Sequence, residues 1–416
     1  MSWPETVAAI KGAVDEDRLV ETATSLVAIP SFTGSEQACA EYLVGVLADA
    51  GLEATLQQIE EGRANAVGRL AGHGDGRSLM FNGHLDTSYS GREPWLDGPG
   101  FKPEPIIRDG AILGLGIMNM KGSVACYVEA VRALGDAGVE LSGDVLVAGV
   151  AGEIEKAEWG DFVGAEFRGY GVGTRHLVAA GVRASACILG EPTEERVVLG
   201  HWGTMWARIS ASGPFMHTAY VPGRLAENSI VRMQQVIAEV SAYVPIWEER
   251  AAYQGRPGAL NIAAVNGGFP WRASRSPHRT DLFIDMRVPP TMELAEAESA
   301  FGELVDSISE RHPDAGITSE VYVSVPGAEI DETDPVITAI DTGHLAAFGA
   351  AAERDYVRWG SDASTLSRHG IPSVNYGPIS GALPGPEGES VPIRSLVNMA
   401  TSYAVAAADY CGVRAP

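Results

Sequence analysis

Five polar residues of this sequence have the side-chain types that a hydrolytic metal site requires. They are His84, Asp86, Asn119, Glu153 and Glu191. Imidazole nitrogen, carboxylate oxygen and amide oxygen all bind divalent cations, and a carboxylate two residues after a histidine can orient its ring. A carboxylate at the end of an apolar segment is costly to bury unless it has a use there. Each residue alone is compatible with a structural role, but the set predicts a site that activates water.

Short apolar segments precede three of these residues and predict buried strands. The segment "SLMFNG" ends before His84, "GDVLVAGVAG" before Glu153 and "ASACILG" before Glu191. Apolar residues at helical spacing in "DRLVETATSLVAI" and "KGSVACYVEAVRALGDAG" predict helices that flank the strands. Asn119 stands just before the second of these helices. Because ligands bind at the carboxyl ends of the strands in open α/β sheets, we expect these residues to converge.

The 416 residues exceed the size of one ordinary hydrophobic core, and the pattern of elements changes twice along the chain. Residues 1–197 and 326–416 alternate apolar and helical segments, which predicts a largely parallel sheet with helices on both faces. Residues 198–325 read strand, helix, strand, strand, helix, strand, the order of a ferredoxin-like unit. We therefore predict an α/β domain in two parts, 1–197 and 326–416, interrupted by an inserted βαββαβ domain.

The charge and composition of the sequence argue against nucleic acid and membranes as partners. The formal net charge is −24, from 54 acidic and 30 basic residues, and such an excess repels polyanions, so no nucleic-acid partner is expected. The sequence shows no signal-peptide leader and no apolar run of about 18 residues, so we expect a cytoplasmic protein without a membrane partner. The four cysteines form no CxxC pair and are interpreted as reduced, buried thiols.

The motifs around these residues resemble one enzyme family over nearly the whole chain. The segments "GHLDT", "GLGIMNMKGS", "GEIEK", "GEPT", "GPFMHTAYVPGRLAENSI" and "WGSDAS" are similar to those of the metallopeptidase family of aminoacylases, carboxypeptidase G, acetylornithine deacetylase and succinyl-diaminopimelate desuccinylase. The resemblance implies a zinc-peptidase-like, three-layer α/β/α catalytic domain with an inserted ferredoxin-like lid and dimerisation domain. It also implies a homo-oligomer that cleaves amide C–N bonds of small molecules with two zinc-like ions bridged by one Asp.

The same resemblance suggests a role for each candidate residue. His84 and Glu191 stand where the family binds its first metal ion, Asp86 where a carboxylate supports that histidine, and Glu153 where the general base lies. His217, in "GPFMH", corresponds to a lid histidine that can donate a hydrogen bond to a developing oxyanion.

Three positions depart from the family pattern, and all three concern the second metal ion. Asn119 stands in place of the bridging Asp, and Ile154 in place of a carboxylate ligand. The expected histidine ligand falls at Pro384 or Gly385, and no histidine occurs after His369. A neutral amide can offer an oxygen to one cation but is a poor bridge between two. The departures therefore predict a site for a single ion.

We expect this one divalent ion to be held by His84, Asn119 and Glu191, with open positions for water and substrate. Because the set has only one nitrogen ligand, it suits Mn, Zn and Mg alike. Glu155 is a further candidate ligand, since alternate side chains of a strand share a face with Glu153.

The inserted domain carries the candidate substrate-binding residues. Arg287 matches a D-x-R run of the family, and Arg272 and Arg275 lie where relatives often carry an Asn. Two arginines can grip a carboxylate or nitro group in bidentate fashion. Trp202, in "GHWGT", either contacts an aromatic substrate or packs between domains.

The predicted function is hydrolysis of a C–N bond in a small, carboxylate-bearing substrate. Two substrate classes stay open: an N-acyl amino acid, or an aromatic amine such as the substrate of 5-nitroanthranilic acid aminohydrolase, a divergent relative that removes an aryl amine. Two other functions also stay open. One is a non-catalytic relative that binds a ligand in a damaged site. The other is a metal-independent hydrolase in which Glu153 works with Asp86 or His217 as an acid–base pair.

Overall fold

A computed structural model of the protein describes residues 1–379 and 385–414. Its α-helices are, in chain order, α1 (Trp3–Ala13), α2 (Glu16–Ala28), α3 (Gln37–Asp49), α4 (Gly122–Asp136), α5 (Val172–Ala179), α6 (Ser229–Arg250), α7 (Leu294–Arg311), α8 (Pro335–Phe348), α9 (Ala363–Arg368) and α10 (Ile393–Cys411). Its strands are β1 (Glu53–Glu60), β2 (Arg63–Leu70), β3 (Leu79–His84), β4 (Ile106–Arg108), β5 (Ala111–Leu113), β6 (Val145–Val150), β7 (Ala186–Leu189), β8 (Val197–His201), β9 (Gly203–Ser212), β10 (Leu260–Gly267), β11 (Arg279–Val288), β12 (Thr318–Val325), β13 (Ala328–Glu329), β14 (Arg354–Val357), β15 (Ser373–Asn375) and β16 (Ser390–Pro392). None of the helices in these described ranges is long and apolar enough to cross a bilayer.

A mixed sheet forms the centre of the first of two compact units, which comprises residues 1–199, 329–355 and the described residues from 361 onward. The strand order is β1-β2-β6-β3-β7-β15-β8-β13, with β14 paired to β8. The neighbours β6, β3, β7 and β15 run parallel, as the continuously apolar segments predict. The outer strands β1 and β2 form an antiparallel hairpin that pairs antiparallel with β6, which the sequence analysis did not predict.

Helices cover both faces of this sheet, and consecutive residues of β3 show it. Phe81 stacks on Tyr127 of α4 at 5.0 Å between ring centroids and contacts Tyr403 of α10 at 5.4 Å. The next residue, Asn82, donates a hydrogen bond to the hydroxyl of Thr174 in α5. Because successive strand residues point to opposite faces, α4 and α10 lie on one side and α5 on the other. The predicted α/β class with helices on both faces of a central sheet is confirmed.

The second compact unit comprises residues 200–328 and 356–360. Its elements follow the order β9-α6-β10-β11-α7-β12, and the four strands form an antiparallel sheet of order β10-β11-β9-β12. Strand β9 alternates inward residues such as Met205 with residues on the other face, and α6 and α7 bury Trp247 and Phe301 in the same core. This unit carries the candidate residues Trp202, His217, Arg272, Arg275 and Arg287.

A buried ion pair in the first unit is expected to contribute to the stability of that unit. The guanidinium of Arg63 donates to both carboxylate oxygens of Glu36 at 2.8 and 2.9 Å, and both side chains are 0% exposed. We expect Glu36→Gln to lower the free energy of unfolding by up to about 3 kcal/mol, because it removes the buried counter-charge of Arg63 and leaves only the part-exposed Glu60, at 3.3 Å, to balance the guanidinium. Urea denaturation measures this loss.

The control for this prediction is Glu53→Gln. Glu53 pairs with Arg69 at 3.3 Å, but their side chains are 74% and 47% exposed, so its loss is expected to cost less than about 1 kcal/mol. Equal effects of the two substitutions would contradict the structural importance of the buried pair.

Candidate metal centre and catalytic site

Three parallel strands bring candidate residues to one edge of the sheet. His84 is the last residue of β3, Glu153 lies three residues after the end of β6, and Glu191 lies two residues after the end of β7. Because β6, β3 and β7 are parallel neighbours, their carboxyl ends meet at the same edge. Asn119 reaches this edge from the segment Ile117–Lys121, just before α4, in which its own backbone is non-helical (φ −126°, ψ 90°).

The imidazole of His84 lies at the centre of the group. Its Nε2 is 2.9 Å from Oδ1 of Asn119, 3.8 Å from Oε2 of Glu153 and 4.0 Å from Oε2 of Glu191. In the part of the chain that the structure describes, His84, Glu153 and Glu191 form one group of metal-binding side chains with ligand atoms within 4.8 Å of one another. The structure thus brings together four of the residues that the sequence analysis selected.

Asp86 links the histidine to the loop that carries Glu153. Nδ1 of His84 is 2.9 Å from the carbonyl oxygen of Asp86 and 3.5 Å from its Oδ1. The fully buried carboxylate also accepts hydrogen bonds from the backbone N–H groups of Glu153 and Ile154, at 3.0 and 3.2 Å, and from the hydroxyl of Thr33 at 2.9 Å. With Nδ1 directed at Asp86, Nε2 of His84 faces the other candidate ligands.

The charges at the site favour a bound cation. Burial raises the pKa of Glu191 to about 7, and burial together with the charge of Glu191 raises the pKa of Glu153 well above its ordinary value. Burial lowers the pKa of His84, but the hydrogen bond to Asp86 and the charges of Glu191 and Glu153 outweigh it and raise that pKa well above 6.5. Without a cation, the clustered carboxylates are thus balanced by protons.

Asp362, in the "WGSDAS" motif, adds to this negative potential, although the sequence analysis gave it no role. It is buried, its Oδ2 accepts a 2.6 Å hydrogen bond from the hydroxyl of Thr174, and burial raises its pKa to about 6. Its charge contributes to the raised pKa values of Glu153 and Glu191.

Glu389 holds the backbone around Asn119, a contact that was not predicted from the sequence. Its Oε2 accepts hydrogen bonds from the backbone N–H groups of Gly116, Met118 and Asn119, at 3.0, 3.1 and 3.3 Å. Gly116 has a φ of +86°, and a Cβ there would lie 2.7 Å from the side chain of Thr87, so the turn requires glycine. The motif "GIMNMKGS" contained this glycine, but nothing in the sequence linked it to a carboxylate some 270 residues away.

The donor set fits a divalent cation. Ligand atoms of one ion bound at about 2.1 Å lie at most about 4.2 Å apart, and all three distances from Nε2 of His84 fall below that limit. One imidazole nitrogen, one amide oxygen and carboxylate oxygens suit Mn, Zn and Mg. A proton on Nε2 of His84 and a cation are alternative ways to satisfy the same oxygens.

We expect metal affinity to rise steeply with pH through about pH 7. Glu191, with a pKa of about 7, and His84, with a pKa raised well above its usual value, must both lose a proton before they can bind an ion. Titration calorimetry in buffers of different ionisation enthalpy measures both the affinity and the protons released. An affinity that stays constant between about pH 6 and pH 8 would contradict this coupling.

Among the described residues, neither Ile154 nor Gly385, two positions where a ligand of a second ion is expected, has a side chain that can bind one. Ile154 contributes its backbone N–H to Asp86, and Gly385 forms a turn in which its carbonyl oxygen accepts from the N–H of Gly388. Pro384, the other position for the missing histidine, lies outside the described residues. Glu155 is not part of the metal-binding group found among the residues that are described.

The candidate lid histidine has a defined tautomer within the second unit. Nδ1 of His217 accepts a 3.1 Å hydrogen bond from the backbone N–H of Ala219, which leaves the proton on Nε2. Arg275 pairs with His217 through a backbone bridge. Its guanidinium lies 5.4 Å over the ring of Phe215, and its buried Nε has no hydrogen-bond partner among the described residues.

The other predicted substrate-binding residues have different environments. Arg272 is exposed, three residues before Arg275 in the chain. Nη2 and Nε of Arg287 donate hydrogen bonds to Oδ2 of Asp285, at 2.8 and 3.1 Å. Trp202 is 0% exposed, and its indole N–H donates to the carbonyl oxygen of Ala251 while its ring packs on Tyr253. Both contacts lie within the second unit, so Trp202 packs in the interior of that unit.

Comparison with known proteins agrees with the fold. Residues 80–409 match the model of peptidase family M20/M25/M40. The chain is 27% identical over 365 residues to N-formyl-4-amino-5-aminomethyl-2-methylpyrimidine deformylase of Bacillus subtilis, covering 81% of this chain and 80% of that protein. It is 26% identical over 402 residues to succinyl-diaminopimelate desuccinylase of Gluconacetobacter diazotrophicus, covering 92% and 94%.

Solved structures share the fold at lower identity. Aminopeptidase PepT from Bacillus cereus superimposes with a TM-score of 0.73 at 19% identity, over 96% of this chain and 100% of that one. The match over residues 80–409 decides the class: the chain belongs to peptidase family M20/M25/M40. It is therefore a metal-dependent hydrolase of carbon–nitrogen bonds, and the resemblance noted in its motifs is confirmed.

Proposed function

We propose that this chain hydrolyses the amide bond of a small N-acyl amino acid with a single divalent ion. The observation that supports the proposal is that the residues present can hold one ion but lack a ligand for a second. His84, Asn119 and Glu191 converge beside Glu153, whereas Ile154 provides only an aliphatic side chain where a second ion would need a ligand.

The residues around the ion divide the chemistry between them. An ion held by His84, Asn119 and Glu191 would lower the pKa of a water molecule and polarise the substrate carbonyl. Glu153 accepts the proton of the attacking water and returns it to the leaving nitrogen. Burial raises the pKa of Glu153, and the charge of a bound cation would lower it again, so that the ionised carboxylate can accept a proton. Asp86 fixes the ring of His84 and, through two backbone N–H groups, the position of Glu153.

Residues of the second unit are proposed to bind the substrate and its transition state. The Nε2–H of His217 is available as a donor to an oxyanion, which its tautomer supports. Arg272, Arg275 and Arg287 are proposed to recognise the carboxylate, supported by the unsatisfied Nε of Arg275.

The relatives support acyl C–N bonds as the target, since both are named for removing a formyl or succinyl group. A second candidate is hydrolytic removal of an aryl amine. The neutral Asn119 favours it, because a substrate with adjacent amine and carboxylate groups can supply ligands that the protein lacks.

A paired assay tests the choice of substrate. Amine release from N-formyl-, N-acetyl- and N-succinyl-amino acids is compared with ammonia release from aminobenzoates, including 5-nitroanthranilate. Metal-dependent turnover of the acyl series supports the proposal, and turnover of the aryl amines alone would replace it with the second candidate. Stoichiometric ligand binding without any turnover would instead indicate the non-catalytic alternative.

Two further properties belong to the same proposal. We propose a homo-oligomer through the second unit, where Phe215, Tyr220 and Trp271 are 54%, 71% and 79% exposed. A cytoplasmic location is supported by Cys39, Cys126, Cys187 and Cys411, which are all buried free thiols.

A further inference from the structure

Residues 29–36, between α2 and α3, form a segment that runs beside the loop of Asp86, and we call it the support segment. The backbone N–H of Thr87 donates to the carbonyl oxygen of Ser31 at 3.0 Å, and the N–H of Thr33 donates to the carbonyl oxygen of Thr87 at 3.4 Å. These bonds pair the support segment with the backbone directly after Asp86. The side chain of Thr33 is thereby placed against the Asp86 carboxylate.

Both ends of the support segment are anchored in the first unit. The carbonyl oxygen of Ile29 accepts a 2.8 Å hydrogen bond from Nζ of the buried Lys121. Near the other end, Oε1 of Glu36 accepts from the backbone N–H of Gly34 at 3.0 Å, and the buried ion pair described above fixes that carboxylate. The central part of the segment is thus held from both sides, so its side chains present their polar groups in fixed positions.

The hydroxyl of Thr33 makes one of the bonds that set the rotation of the Asp86 carboxylate. It donates to Oδ2 at 2.9 Å, whereas the N–H of Ile154 donates to the same oxygen at 3.2 Å, and both side chains of the shorter bond are 0% exposed. The other oxygen, Oδ1, accepts from the N–H of Glu153 at 3.0 Å and lies 3.5 Å from Nδ1 of His84. Because the two oxygens turn as one rigid group, a bond that fixes Oδ2 also fixes Oδ1.

We propose that Thr33 is a positioning residue of the metal centre, whose hydroxyl holds the Asp86 carboxylate in the rotation that orients the His84 ring and the loop of Glu153. The inference rests on the proposed function in that a divalent ion binds at His84. Outer hydrogen bonds to a ligating histidine fix its ring and tune its affinity for the ion. Metal affinity therefore depends on Thr33, although Thr33 is not itself one of the proposed ligands.

The first measurement is the affinity of Thr33→Val for Mn²⁺, determined by titration calorimetry on chelator-treated protein at one pH. Valine keeps the shape of the side chain but puts a methyl group where the hydroxyl was, which leaves Oδ2 of Asp86 with the longer bond alone. We expect the affinity to fall by about tenfold, the lower end of the range for outer groups that support a metal ligand. Thr33→Ser keeps the hydroxyl and is expected to bind Mn²⁺ nearly as tightly as wild type.

Kinetics at saturating metal give a second readout. Because Asp86 also anchors the N–H of Glu153, Thr33→Val is expected to lower kcat by about tenfold even when the ion is fully bound. The KM should stay unchanged, since Thr33 contributes no proposed contact to the substrate.

A purely structural role for Thr33 predicts a different result, and Thr401→Val is the matched control for it. Thr401 is also buried, at 4% exposed, but its hydroxyl donates to the carbonyl oxygen of Val397 within α10. The same chemical change there is expected to leave Mn²⁺ affinity and kcat unchanged. Urea denaturation of every variant measures the stability separately from both readouts.

The inference is overturned if folded Thr33→Val binds Mn²⁺ as tightly as wild type, or if Thr33→Ser is weakened as much as Thr33→Val. The pair Thr33→Ser and Thr33→Ala differs by the hydroxyl alone, so it decides the question if the valine variant does not fold. Hydroxyl-dependent Mn²⁺ binding without turnover of any acyl substrate would refute the proposed function alone. Metal-dependent turnover, with equal Mn²⁺ affinity in the serine and alanine variants, would refute this inference alone.

Discussion

Replacing Glu153 by glutamine is expected to reduce turnover by about 10²–10⁴-fold while metal binding persists. The substitution keeps the shape of the side chain but removes the group that takes the proton from water. His84, Asn119 and Glu191 still converge around Nε2 of the histidine, so the ion keeps its proposed ligands. Steady-state kinetics and metal analysis of the same preparation measure the two properties together.

The matched control is Glu155→Gln, the same chemical change two residues further along the chain. Glu155 is not part of the metal-binding group of the described residues, so its substitution is expected to leave turnover within about twofold of wild type. Retained activity in the Glu153 variant would refute its role as base. A large loss in the Glu155 variant would instead indicate that Glu155 supplies a ligand.

Removing the metal is expected to reduce turnover to background, and one equivalent of a divalent ion per chain is expected to restore it. A bound ion would both activate the water and polarise the carbonyl, and the remaining residues supply neither effect. Metal content per chain, followed during chelation and stepwise re-addition of Mn, Zn or Mg, measures the stoichiometry directly.

The variant Asn119→Asp tests whether the neutral amide alone limits the site to one ion. The added carboxylate should tighten binding of the single ion, but the content should stay at one per chain, because Ile154 and Gly385 still offer no side-chain ligand. Two ions per wild-type chain would contradict the single-ion proposal. Full activity after complete chelation would support the metal-independent alternative.

The parts of the site that could be predicted from sequence are those built from local patterns. Continuous apolar segments mark β3, β6 and β7 because these strands are buried on both faces. A polar residue directly after such a segment, as at His84 or Glu191, is therefore conspicuous. Parallel neighbours then bring these residues to one edge without further information.

The parts that could not be predicted depend on contacts between distant segments. Glu389 supports Asn119 through backbone N–H groups, which leave no mark on the sequence of either segment. The hairpin of β1 and β2 was missed because β1 is largely exposed and lacks a continuous apolar segment. The end of the strand before Glu153 was also misplaced. β6 stops at Val150, and the loop that follows is held by Asp86, not by the sheet.

The hydrogen bond from Ile154 to Asp86 would explain how the proposed loss of the second ion leaves the rest of the site in place. The contact uses the backbone N–H of residue 154, so any residue except proline at that position leaves the loop anchored. Glu153, anchored by the adjacent N–H, keeps its place whichever residue follows it. A substitution at the residue after the base can thus remove a metal ligand without moving the group that transfers the proton.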